Sequence, residues 1–543
     1  MRLKVILSAA SPARKRSSMF YNEKHNVVLY PNVSSAQLKA QIANTIVLDE
    51  RNAALPCDMH TMQLAKHIGL PAISPINHKY AWPGQFRPKS HQRTMAEFAT
   101  LHPRHMNLSA MRTGKTMGGG VWPADFLMDQ GLIGSALVIC TLSNMERVWD
   151  KEIYRHMLGK RKAKILHGTQ KQRLDALDED ADFYIINHDG IKVGTKKGTR
   201  GLELGALAKE IIERDDINCV IVDEATAFKL SSTTRFKVLK HIIESKPYVW
   251  LLTGTPTPNA PTDAWAYRKL LIPHTTESYM AFRDRTMVRV SQFKWVPRKD
   301  APETVSKFLQ PALRFAREDC IDIPPITIEQ VECELSPSQK KAYDDLKRDL
   351  SVSLESGEKI NAVNEAVLRI KLIQISLGAV YGPEREVHAI DAAPRLQLLM
   401  DLLEESDSKI LVFAPLTSVV NLLYREIRKA GWSAAMVTGG TSAKERSKIF
   451  QEFEKNDDPH VIVADPGCVA HGLDLTTAGT VIWFGPTDKL EIYQQANARI
   501  DGPNQKRKQV AIQIASTQVE REIYKRLDEK RTLQGLILDM VRK

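Results

Sequence analysis

Short, unbroken apolar runs recur along most of this chain, separated by polar, helix-like stretches. Residues 136–140, 183–186, 219–222 and 249–252 form one series, rich in β-branched side chains. A run that is apolar at every position predicts a strand covered on both faces, as in a parallel sheet. Alternation with helices predicts a doubly wound α/β domain. A second series begins near residue 392, with strands at 410–414, 461–464 and 481–484 and a further strand ending at 436–440. Pro394 suits the first turn of a helix reaching Glu404, and another helix is expected over 442–454. Residues 271–390 break this rhythm and read as mostly helical. Near the start, 27–30 read as a strand, Ser34 or Ser35 as the cap of a helix reaching Ala43, and 60–67 as another helix. Pro71, Pro75, Pro83 and Pro88 then punctuate a linker. The expected organisation is a small basic α/β module (1–80), an α/β domain (81–270), a helical insertion and connection (271–390) and a second α/β domain (391–543).

Composition changes this picture in three ways. At 543 residues the chain needs several cores, because single cores stop growing near ~250–300 residues. Six cysteines are scattered without a CxxC pair, which suggests a reducing compartment and no zinc site. No apolar run approaches the ~20 residues that span a bilayer, and 5–10 is too short for a secretory core. A soluble, intracellular protein without a membrane partner is therefore expected. The net charge is +12, and residues 1–100 hold 13 Lys and Arg against 5 Asp and Glu. That balance suits a polyanion, nucleic acid first. The cluster Arg14, Lys15, Arg16 fits a phosphate contact or a solvated loop.

Candidate chemistry starts at Ala110, Met111, Arg112, Thr113, Gly114, Lys115 and Thr116. A strand ending near Leu108 precedes these residues, and a helix can begin after them. Strand, tight turn, Gly-Lys-Thr, helix is the layout of a phosphate-binding loop. Gly114 lets the backbone approach phosphate, and successive N–H groups at a helix start supply positive charge. Lys115 would reach the β- and γ-phosphates, and Thr116 would place its hydroxyl on Mg²⁺. The loop from Arg112 to Thr116 is thus a candidate cradle for ATP. Ser109 stands where such loops usually have their first glycine, and the stretch alone also fits an ordinary turn.

Asp223 and Glu224 end the apolar run at 219–222, at the carboxyl edge where α/β sheets bind ligands. Asp223 can hold Mg²⁺ through its water shell, and Glu224 can orient and deprotonate an attacking water. Another strand runs into Thr253, Gly254, Thr255, Pro256, Thr257, Pro258 and Asn259. Thr253 and Thr255 can hydrogen-bond the carboxylates and relay the nucleotide state, or the stretch is simply a Gly/Pro turn.

Taken together, the loop, DEAT and LTGTPTPN resemble motifs I, II and III of superfamily-two helicases, and the last resembles the Swi/Snf-related ATPases especially. The resemblance covers residues 82–543 and is to the compact bacterial and viral forms of that family. It implies two tandem RecA-like lobes with ATP and Mg²⁺ in the cleft between them. Phe86, Arg87 and Pro88 with His91 and Gln92 resemble the adenine-reading segment, which implies that Gln92 contacts adenine. Segments 137–143 and 184–189 resemble strand-end motifs that contact the DNA backbone. The passage 323–346 (IPPITIEQVECELSPSQKKAYDDL) is similar to the family's connection between lobes, with a hinge over 320–326 and Ser336 as a helix cap. GCVAHGLDL (467–475) resembles motif V, which implies that Asp474 contacts ribose or couples to DNA. QANARIDGPNQ (495–505) resembles motif VI. Gln495 and Arg499, four apart on an expected helix over 488–500, would share a face, and Arg499 would approach the γ-phosphate as an arginine finger.

Three positions depart from the family pattern. Gly502 replaces a second arginine, Asn504 a glycine, and Arg112 stands where many superfamily-two loops have glycine. Either Arg499 suffices, Arg507 or Lys508 substitutes, or hydrolysis is weak. The resulting expectation is a DNA-dependent ATPase, with Lys115, Glu224 and Arg499 catalytic, that translocates on duplex DNA through sequence-independent backbone contacts. The alternatives are a nucleotide- and DNA-binding scaffold with weak hydrolysis, and an RNA-directed helicase.

Overall fold

The computed structural model describes residues 19–157, 159–198, 201–291, 294–320, 326–355, 362–381, 386–469, 475–502, 505 and 507–542. Its chain divides into two compact units. One comprises Met1–Pro256, Pro261–Cys320 and Ile537–Lys543, and the other Thr257–Ala260 and Ile321–Leu536. Each is an α/β body on a parallel sheet, and together they are two RecA-like lobes.

The first unit opens with an antiparallel sheet of β1 (Phe20–Asn22), β2 (Val27–Pro31), β3 (Ile46–Asp49) and β4 (Asn52–Pro56), in the order β1-β2-β4-β3. Ser34 caps the helix Ser35–Gln41, and Asp58 caps Met59–His67. Val28, Leu55 and Met62 pack into the same apolar cluster as Ala136, Ile185, Ile221 and Leu252. Residues 19–80 thus share one core with the α/β domain that follows. The basic triplet at 14–16 lies outside the described residues.

The parallel sheet of this unit holds β5 (Arg104–Asn107), β6 (Ser135–Cys140), β7 (Ala163–Leu166), β8 (Phe183–Asn187), β9 (Ile217–Asp223), β10 (Tyr248–Leu252) and β11 (Ala312–Leu313). Their order is β11-β5-β10-β9-β6-β8-β7, and every neighbouring pair is parallel. Successive residues of β6, β9 and β10 are buried on opposite faces, so the continuous apolar runs are the cost of covering both sides.

The second unit holds β12 (Thr327–Glu332), β13 (Lys409–Phe413), β14 (Ala434–Val437), β15 (Val461–Ala464), β16 (Ala478–Trp483) and β17 (Val510–Ala515). They pair in parallel in the order β12-β17-β16-β13-β15-β14. Leu411, Phe413, Ile462 and Trp483 enter one core, while Ile410, Val412, Val463 and Ile482 enter another. The alternation of side chains along each strand makes these two faces. Arg395 joins the second core's elements. It pairs with Glu520 at 2.8 Å, donates to the Ile514 carbonyl at 2.8 Å, and lies over the Phe484 ring.

Residues 271–390 contain the helices Tyr279–Thr286, Ala301–Phe308, Pro337–Glu355 and Ala362–Ser376. They also contain β11 and β12, each an edge strand of a different sheet. β11 has only two residues and β12 reads TIEQVE, so neither makes an apolar run. Ser336 does cap its helix, accepting from the Gln339 N–H at 3.1 Å. The hinge residues 321–325 lie outside the described residues. Among the described residues, no helix is long and apolar enough to cross a membrane.

Candidate functional site

The turn after β5 is held from behind by β11 and from above by a helix. The Leu108 N–H donates to the Leu313 carbonyl at 2.7 Å, and the Ala110 N–H to the Phe315 carbonyl at 2.9 Å. The Phe315 N–H in turn donates to Ser109 Oγ at 3.1 Å, a use for the hydroxyl that stands where the first glycine is usual. The helix Ser90–Leu101 brings His91 Nε2 to 3.0 Å from the Thr113 carbonyl. Gln92 lies directly on the loop, since a Cβ at Gly114 would stand 2.1 Å from Gln92 Nε2. Gly114 also has φ +77°, and Arg112 has φ +64°. Left-handed backbone costs a non-glycine residue about 1–2 kcal/mol, so Arg112 holds strain where the family pattern has glycine.

Lys115 begins the next helix and is buried. Its Nζ donates to the carbonyls of Ser109 at 2.8 Å and Ala110 at 2.9 Å, curling back along the loop. Burial pulls its ammonium below the ordinary lysine range, and the charges of Glu224 and then Asp223 oppose that shift. Both carboxylates therefore act on this amine although they lie more than a hundred residues away in sequence. Thr116 is half-buried in the same first turn.

The carboxylates sit where β9 stops. Asp223 Oδ1 accepts the Glu224 N–H at 3.0 Å, and its Oδ2 accepts the Trp149 indole N–H at 3.0 Å. The Asp223 carbonyl lies 2.8 Å from His188 Nε2, and burial lowers the pKa of that imidazole. Glu224 itself has φ +49°, a second strained residue at this edge. Thr253 and Thr255, expected to bond the carboxylates, meet Thr226 of DEAT. Their hydroxyls lie 2.7 and 3.2 Å from Thr226 Oγ1, so the two motifs are joined through that threonine.

Trp149 was not legible as a site residue, and His91 and Thr226 lie in recognised stretches that gave neither a role of its own. Trp149 lies in a helical turn, Met145–Asp150, and is wholly buried. A Cβ at Gly120 would stand 2.7 Å from the Trp149 ring, so Gly120 makes room for the indole that orients Asp223. The only sequence signal was a tryptophan in an otherwise polar stretch.

In the second unit the helix expected over 488–500 is shorter, Leu490–Asn497. Ala498 ends it, and Arg499 follows in a tight turn, with its N–H on the Ala496 carbonyl at 3.1 Å. The expected shared helix face of Gln495 and Arg499 is therefore corrected, because Arg499 lies past the cap. The Arg499 carbonyl accepts the Leu475 N–H at 2.9 Å, which joins the end of GLDL to the arginine. Asp474 lies outside the described residues. Gln505 Nε2 holds the turn, donating to the carbonyls of Ile500 and Ala478 at 2.8 Å and of Thr476 at 3.1 Å. Gly502 is buried, and its carbonyl accepts the Gln505 N–H. Arg507 reaches the Thr477 carbonyl at 3.4 Å, at the edge where β16 and β17 begin.

Within the first unit, Gln92, the loop Arg112 to Thr116, Asp223 and Glu224 converge at the carboxyl edge of one sheet. The donor set fits a triphosphate, with a glycine cradle, a buried amine and a helix start. Among the described residues, no three His, Cys, Asp or Glu side chains are grouped to hold a metal ion. Mg²⁺ does not need such a cage, since it commonly takes one or two carboxylates plus phosphate and water. Asp223 and Thr116 fit that requirement.

The SNF2-related domain model matches residues 22–375, and the helicase conserved C-terminal domain matches 394–501. The chain is 24% identical over 426 residues to the ISWI chromatin-remodeling complex ATPase CHR11 of Arabidopsis thaliana, covering 76% of this chain and 39% of that one. It thus spans about two fifths of the plant relative's length. Protein p41 of Acyrthosiphon pisum secondary endosymbiont phage 1 is 24% identical over 490 residues, covering 84% of this chain and 99% of its own. The Sulfolobus solfataricus SWI2/SNF2 ATPase core, solved in complex with dsDNA, is 22% identical with a TM-score of 0.39, covering 85% of this chain and 95% of that one.

Proposed function

The chain belongs to the SNF2-related domain family, and from that premise we propose that it hydrolyses ATP to move along duplex DNA. The observation that carries this reading is the convergence of the Lys115 loop with Asp223 and Glu224 at the carboxyl edge of one parallel sheet, where β5, β10 and β9 are neighbours. Lys115 and the N–H groups from Thr113 to Thr116 hold the β- and γ-phosphates. Gln92, already against the loop, meets the adenine, and Asp474 contacts ribose or couples to DNA. Thr116 and Asp223 hold Mg²⁺, which when bound neutralises phosphate charge. Glu224 orients the attacking water and takes its proton. Arg499 supplies the cation that stabilises charge on the transferring phosphoryl group. The plant relative's description as an ATPase of a chromatin-remodelling complex supports ATP as substrate. The net charge of +12 fits sequence-independent, salt-sensitive grip on a phosphate backbone.

Phosphate release measured with duplex DNA, single strands, RNA and no nucleic acid tests the reading. Duplex DNA should stimulate release most, and Lys115→Ala should lower it roughly 10²–10³-fold. Wild-type release indistinguishable from the Lys115→Ala control would overturn it. A second reading rests on Gly502, which puts a bare backbone where the family has a second arginine. On that reading the protein binds nucleotide and DNA but hydrolyses weakly, and nucleotide binding without DNA-stimulated release would select it.

A further inference from the structure

Beyond the nucleotide site, the first unit carries a two-stranded ribbon whose charge is one-sided. Met287–Arg289 pairs antiparallel with Trp295–Pro297, and the Val290 N–H extends the pairing to the Lys294 carbonyl at 2.8 Å. Residues 285–299 hold five cations, Arg285, Arg289, Lys294, Arg298 and Lys299, and no carboxylate; Asp284 and Asp300 flank the stretch, and Arg285 pairs with Glu277 at 3.0 Å, which leaves Arg289 and Lys294 as the cations of the ribbon's outer part. All five are exposed. Val288 is 42% exposed and Val290 60%, and Val288 faces Val296 across the ribbon. Side chains alternate along a strand, so the valines share one face while Arg289 and Trp295 occupy the other. The base is fixed. Met287 is buried, the Arg298 N–H donates to the Thr286 carbonyl at 2.9 Å, and Phe282 stacks on Phe308 with centroids 4.1 Å apart. Arg283 lies 4.0 Å over the Trp295 ring.

We propose that this ribbon is an additional duplex-DNA contact, seated in a groove with its cations on the flanking phosphates. The inference rests on the DNA reading above. A two-stranded ribbon fits the width of the major groove, and a carboxylate-free cationic stretch is complementary to phosphate on both groove walls. The exposed valines supply an apolar strip for sugars and base edges. A rigid base keeps the ribbon presented without an ordering cost on binding.

Fluorescence anisotropy of the full chain on a labelled 30-base-pair duplex, across a salt series, tests this. The double variant Arg289→Ala with Lys294→Ala should bind roughly tenfold more weakly. Its slope of log affinity against log salt should fall by about 1.8, the value for two lost phosphate contacts. Phosphate release without DNA should stay at the wild-type rate, and Arg289→Lys with Lys294→Arg should keep wild-type binding. Val288→Ser with Val290→Ser should weaken binding a few-fold with the slope unchanged. Wild-type affinity and slope in the Arg289/Lys294 double alanine variant would overturn the ribbon alone and leave the motor reading standing. No duplex binding by the wild type would overturn both. Self-association that the valine variant abolishes, with DNA affinity unmoved, would assign the strip to a second copy of the chain instead.

Discussion

After β5 the chain takes seven residues, 108–114, before it becomes helical at Lys115. After β13 it takes three, Ala414, Pro415 and Leu416, before the helix Thr417–Lys429. The first turn has a left-handed glycine, several aligned N–H groups and a buried amine. The second has a proline, which lacks an N–H, and neither glycine nor lysine. Arg112 and Glu224 hold positive φ in the first unit, whereas among the described residues of the second no non-glycine residue does. Buried charge differs as well. Lys115 is satisfied by carbonyl oxygens beside two carboxylates, while Arg395 and Glu520 close on each other inside a core. Two sheets of similar design thus diverge at their turns and in what their buried charges face. One edge is strained and built for an anion, and the other unit uses its buried ions to fix packing.

The sharpest way to break this contrast is at the closed pair. Glu520→Ala leaves the Arg395 guanidinium buried and unpaired, which should cost about 3–5 kcal/mol in urea unfolding. Arg395→Met with Glu520→Leu should recover most of that loss. A small effect of Glu520→Ala would mean that the pair is not a packing device. Next comes Trp149→Phe in the first unit, which strips one donor from Asp223. It should cost ~1–3 kcal/mol of stability. It should also raise the Mg²⁺ concentration needed for tight binding of fluorescent ATP, with metal-free binding unmoved. A stability loss alone would reduce Trp149 to a core residue. The smallest effect is expected at Arg112→Gly. Relief of left-handed strain minus the entropy of a new glycine should give a gain of roughly 0.5–1 kcal/mol by thermal unfolding. A loss would place the side chain's contacts above the backbone term.

The central strands were legible because a strand buried on both faces writes its burial as consecutive Val, Ile and Leu. The loop and the Asp223 and Glu224 pair were legible because strand ends and turn residues are local. Other features depend on distance. Trp149 acts on a carboxylate 74 residues away, and Ser109 is used by Phe315, just past β11 and 206 residues later. Arg499 continues the helical spacing in sequence, yet Ala498 closes that helix with its own N–H. β11 and β12 were not legible because an edge strand can be short or polar. The ribbon was not legible because the pairing of 287–289 with 295–297 leaves no apolar run in the sequence.

The hydrogen bond from Leu475 to Arg499 is main chain to main chain. Apart from proline at 475, no side-chain replacement at either position can remove its donor or its acceptor. The letters around the arginine, 502 and 504 among them, can therefore drift while the guanidinium keeps its mounting. Letters of a recognition signature can change while the backbone that carries its arginine stays tied to the neighbouring segment.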